Sequence, residues 1–112
     1  MVVIGFATTP REVVELLARR RYALGLTQAE TDELSGTCER YVSKLESGMR
    51  GLGDMSLSAI CGCLGVKLAV VEDEAGLPAA VQRYLAELPP RRQSEPRKHG
   101  IAAAPEAAER AA

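Results

Sequence analysis

Tryptophan is absent, Phe6 is the sole phenylalanine and His99 the sole histidine. A core must therefore come from Leu, Val, Ile and Ala. No apolar run approaches the roughly 20 residues that cross a bilayer. No basic stretch precedes an apolar one in the manner of a secretory signal. A cytoplasmic protein with no membrane partner is expected. Charge of either sign is also lacking in excess: the net charge is -1 and the pI about 5.9. A binder of polyanions in general would be more basic, so nucleic-acid binding would need a local patch.

The three cysteines, Cys38, Cys61 and Cys63, are an odd number. Cys61 and Cys63 are too close for an unstrained disulfide on one element, and on a helix they point apart. Zinc would want more ligands, and His99 lies in a polar tail. Reduced thiols and no metal are expected. No nucleophile–base pair is evident, and Gly51-Leu52-Gly53 is too short and lacks the strand that a dinucleotide fingerprint needs. Neither catalysis nor a cofactor is implied. The 112 residues make one small domain with a tail.

What is present is punctuation. Residues 1–8 open with an apolar run that suits a strand or a packed arm. Thr9-Pro10-Arg11-Glu12 is a capping box with proline at the first helical position, and Gly25 is a helix stop. Between them Val13, Val14, Leu16, Leu17 and Leu24 form an apolar face, and Arg19-Arg20-Arg21 suits the helix dipole or a phosphate. Thr27-Gln28-Ala29-Glu30 is a second capping box, opening a helix to Leu34. Ser35-Gly36-Thr37 is a tight turn. A third helix is expected over about 38–47, buried through Val42 and Leu45 and ended by Gly48. After a glycine-rich loop, Ser56 can cap a fourth helix carrying Leu57, Ile60 and Leu64, with Gly65 as its stop. Residues 66–71, VKLAVV, are β-branched enough for a strand. An acidic linker and a weak helix over 72–88 follow, then a disordered tail over 89–112, in which 91–98 is basic.

Two short helices joined by a turn containing Gly36 are the geometry of a helix-turn-helix. The stretch LGLTQAETDELSGTCERYVSKLESGMR, with SLSAICGCLGVKL after it, resembles the Cro/C1-type (XRE) helix-turn-helix family over residues 11–71. The resemblance implies a lambda-repressor-like all-α bundle of four or five helices. It implies binding of double-stranded DNA, at an inverted-repeat operator, by a homodimer. The strand-like 66–71 is similar to the dimerising β element of some members, including antitoxins of the HipB kind. That strand would pair with residues 2–6 or across a dimer.

By the same resemblance, Cys38, Glu39, Arg40 and Lys44 face the bases. Arginine and lysine donate to guanine O6 and N7, and glutamate accepts from cytosine N4. Gln28 matches the family's phosphate clamp, with Thr27, Thr37, Tyr41, Ser43 and Arg50 as further phosphate contacts. Glu46 is expected to serve structure. A thiol at Cys38, if in a first helical turn, could also sense oxidants.

The chain departs from the family pattern in two places. Thr31-Asp32 stands where a Leu-Ala pair is usual, and Thr37 where an apolar residue is usual. Asp32 would be a buried, unpaired carboxylate unless the helix shifts or a donor reaches it. Residues 11–67 hold eight Lys or Arg against eight Asp or Glu, so nonspecific attraction to phosphate should be modest. The expected function is a sequence-specific transcriptional regulator, a repressor by steric block. The alternatives are an antitoxin that also holds a toxin, and a helix-turn-helix fold kept only for protein interaction.

Overall fold

The computed structural model describes residues 1–90, and the basic segment 91–98, His99 and the rest of the expected tail lie outside them. Five α-helices are present among the described residues: α1 (Pro10–Leu24), α2 (Gln28–Ser35), α3 (Tyr41–Ser47), α4 (Asp54–Leu64) and α5 (Ala79–Glu87). The chain divides into two units, Met1–Val70 and Val71–Ala112. The first is the expected all-α bundle.

Local chemistry sets most of its helix ends. Thr9 accepts from the Glu12 amide, and the Glu12 carboxylate accepts in return from the Thr8 amide and both threonine hydroxyls. Thr27 and Glu30 form the reciprocal box at the start of α2. Gly25, Gly36, Gly48 and Gly65 close their helices at positive φ, where a side chain would be strained.

The core is where the apolar spacing puts it. Val14, Leu17, Val42, Leu45, Ile60 and Leu64 are buried, with Tyr41 and Cys61 beside them. Each buried Leu or Ile contributes about 1.5–3 kcal/mol through area removed from water. Burial also pushes the Cys61 thiol up, which keeps it protonated and inert.

Arginines from α1 tie the other helices down. Arg11 donates to the carbonyls of Leu45 and Glu46 at the end of α3. Arg20 donates to the Leu64 carbonyl at the end of α4 (3.0 Å), and Arg21 to the Leu26 carbonyl (2.6 Å). The last carbonyls of a helix have no partner within it, and a cation there also matches the dipole. Of the arginine run, Arg20 and Arg21 thus serve the fold, while Arg19 is exposed.

Three expected features differ, while residues 1–8 take one of the two expected forms, an arm rather than a strand. A Cβ at Gly5 would lie 2.5 Å from Leu16 Cδ2, so the arm approaches α1 closely there. Helix α4 begins at Asp54, because Ser56 acts from inside the first turn: its hydroxyl accepts from the Gly53 amide. Helix α3 begins at Tyr41, three residues later than expected, for reasons set out below.

Residues 66–71 form no strand, and none exists among the described residues. A strand needs a hydrogen-bonded neighbour, and β-branched composition alone does not supply one. The Val66 amide instead closes α4 by donating to the Cys61 carbonyl. In the second unit, Asp73 caps a short 3-10 turn at Glu74–Gly76, and α5 covers most of the helix expected within 72–88.

Candidate nucleic-acid interface

The site is built on α2, the turn after it, and α3. Gly36 ends α2, and the Thr37 amide returns to the Asp32 carbonyl. The Tyr41 amide donates to the Cys38 carbonyl, which closes a four-residue turn. Arg40 sits third in that turn with φ 65°, the one non-glycine residue at positive φ among those described. A turn with positive φ only at this position is type II, where glycine is preferred. This turn delays α3. Cys38 therefore precedes the helix, and the premise of a thiol in a first helical turn does not hold.

From Tyr41, α3 turns Tyr41, Val42 and Leu45 into the core and leaves Ser43 and Lys44 exposed. Gly48 then reverses the chain, and the amides of Met49 and Arg50 both donate to the Lys44 carbonyl. The reversal brings the Arg50 guanidinium over the Tyr41 ring, 5.2 Å from its centre, and within 3.8 Å of Cys38 Sγ. Cys38, Tyr41 and Arg50 thereby line one open cleft with Met55 and Ser56.

The expected contact residues fall into two groups. Cys38, Glu39, Arg40, Ser43, Lys44 and Arg50 are exposed, and neither Arg40 nor Lys44 joins an ion pair among the described residues. The second group is tied inward. Tyr41 donates its hydroxyl to Ser56 Oγ, and Thr37 donates to Asp32 Oδ1 at 2.9 Å. Gln28 donates through Nε2 to Glu46 Oε1 at 3.0 Å, which leaves one amide hydrogen to spare. Thr27 is exposed and accepts the Glu30 amide, so its own proton remains available.

Glu46 is the structural hub. It holds Arg21 in a two-point pair at 2.7 and 2.9 Å, with little of either side chain exposed. Burial pushes its carboxyl up, but the hydrogen bonds from Arg21 and Gln28 outweigh that and hold it below the ordinary range. The same pair raises Arg21. Glu12 and Glu30 are held below the ordinary range by the capping threonines.

This sorting changes what the even charge balance means. Arg11, Arg20 and Arg21 are turned to carbonyls and Glu46, while the carboxylates of Glu12, Glu30 and Asp32 accept hydrogen bonds of their own. Around α3, Arg40, Lys44 and Arg50 remain exposed against Glu39 and Asp54.

A family model described as helix-turn-helix matches residues 16–71, half of the chain. The protein belongs to the Cro/C1-type helix-turn-helix family, a family of DNA-binding regulators. Neither a curated protein nor a solved structure matches the chain at a significant level. Among the described residues, no helix is long and apolar enough to cross a membrane.

Sequence reasoning missed three groups that hold the bundle or the site together. Arg11 and Arg20 grip carbonyls 34 and 44 residues away, and no local pattern announces that. Ser56 is expected as a helix cap but also accepts from the Tyr41 hydroxyl. Asp32 does find donors: its Oδ1 accepts from Thr37 Oγ1 and from the Val42 amide, each at 2.9 Å. The last signal was present, since both departures from the family pattern are partners in one bond.

Proposed function

We propose that this protein is a sequence-specific transcriptional regulator, a repressor that binds an inverted-repeat operator as a homodimer. The observation that carries the reading is that Arg40, in the turn just before α3, and Lys44, on α3, are both exposed and join no ion pair among the described residues, while the opposite face of α3 is locked into the core. Arg40 and Lys44 read guanines, Glu39 reads a cytosine, and Cys38 lies against the same base edges. Arg50, Ser43, Gln28 and Thr27 have donors to offer phosphates. Thr37 and Tyr41, whose hydroxyl protons are committed inward, act on the backbone only if those bonds are exchanged. Two recognition helices about 34 Å apart would then occupy successive major-groove faces and exclude polymerase.

Selection of bound duplexes from a random pool, with the full chain in low salt, tests this. The expected result is enrichment of an inverted repeat whose half-sites lie about one helical turn apart. No enrichment by well-folded protein contradicts it and favours a fold kept for protein interaction.

A second reading, an antitoxin that holds a toxin as well as an operator, draws on α5. Its Val81, Tyr84 and Leu85 share one face at helical spacing and are exposed. That reading needs the protein to leave its host in stoichiometric complex with a second protein, and its isolation alone counts against it.

A further inference from the structure

A short helix is marginal on its own, and its first N–H groups need acceptors. The usual acceptor is a Ser, Thr, Asp or Asn just before the helix. α3 has seven residues, and the position before it is Arg40, with no side-chain cap. A guanidinium cannot accept a hydrogen bond at all. The acceptor arrives from a different helix. Asp32, 5% exposed on α2, accepts the amide of Val42, the second residue of α3, which is where a local cap would bond. Thr37 donates to the same Oδ1, and its oxygen lies 3.0 Å from Ser35 Oγ. Among the described residues, no buried side-chain nitrogen or oxygen lacks a partner.

We propose that Asp32 is a positioning residue for α3. Its carboxylate caps that helix from α2, and so releases the pre-helix position to Arg40, a residue that reaches outward but cannot cap. One charge-assisted bond thereby sets both the start of α3 and its seat against α2. Thr37 orients the carboxylate, so the two departures from the family pattern act as one device. The inference rests on the proposed DNA-binding role only where duplex affinity is the readout.

Hydrogen exchange and duplex binding of the full-length Asp32→Ala and Asp32→Asn variants test it. In Asp32→Ala, exchange at the Val42 amide should quicken about tenfold more than at Leu17 and Ile60, which report global opening. Affinity for the selected duplex should fall about tenfold, the scale of one lost helix-positioning bond. Asp32→Asn keeps an Oδ1 acceptor and should hold both readouts within about threefold of the native protein. Unchanged Val42 exchange in folded Asp32→Ala, an equal change at all three amides, or no rescue by asparagine overturns the proposal. The native protein supplies a measurement that does not depend on the variants folding: a scalar coupling across the hydrogen bond, from the Val42 amide nitrogen to the Asp32 carboxylate carbon. Its absence also overturns the proposal. If the native protein binds no duplex, the regulator reading fails, while the exchange and coupling data still decide whether Asp32 caps α3.

Discussion

Glu46→Ala is expected to cost about 2–3 kcal/mol of stability, below the 3–5 kcal/mol typical of a fully buried pair because both partners keep some solvent. The loss exceeds that of an exposed pair. Removing the carboxylate strands the Arg21 guanidinium and the Gln28 amide together, and both hold α1 and α2 against α3. A domain of this size has only about 5–10 kcal/mol in hand, so the melting temperature should fall by roughly 10 °C or more. The effect also depends on pH. Because the folded state holds Glu46 below its ordinary range, its contribution is complete above the unfolded carboxyl's range. It is lost as pH falls through the lower, folded value. Thermal melts should therefore show a wide gap between native and Glu46→Ala protein at neutral pH, closing in strong acid. Coincident melts at neutral pH, or a gap that survives in strong acid, contradict this account.

Arg40 should show opposite effects on stability and on binding. Its φ of 65° is strained for any residue with a Cβ. Arg40→Gly should relieve that strain and stabilise the fold by up to about 1 kcal/mol. The same substitution should weaken the preferred duplex by about 1–3 kcal/mol and relax base preference at one position in each half-site. Arg40→Ala should lose the same preference without gaining stability. Gln28→Ala should instead weaken all duplex sequences alike, the behaviour of a backbone contact. Melts and competition binding against single-base variants of the operator read these outcomes. Identical specificity profiles for the Arg40 and Gln28 variants contradict the division of roles. Destabilisation by Arg40→Gly contradicts the strain.

Much of this fold is legible because its signals are local. Thr9, Thr27 and the four glycines at helix ends act within one turn of themselves, so spacing alone places α1, the start of α2 and the end of every helix in the bundle. The start of α3 is not local. It depends on Asp32, ten residues earlier, and on a strained turn at a residue type that ordinarily avoids positive φ. Asp32 and Thr37 read singly are defects in an apolar pattern, and only their 2.9 Å separation turns them into a pair. The strand expected over 66–71 rests on composition, which carries no information about a pairing neighbour. The candidate site divides in the same way. The family motif names its residues by order along the chain, but burial and hydrogen bonding decide direction. Hence Arg40 and Lys44 face outward, while Thr37, Tyr41 and part of Gln28 are claimed by the interior.

On the proposed function, α3 and the turn before it meet DNA. Amide chemical-shift mapping of the full chain during titration with the selected duplex tests it most directly. The largest changes are expected at Gln28, across residues 37–44 and at Arg50, with α5 little affected. Changes centred on α5 or on residues 1–6, with residues 37–44 silent, would contradict it.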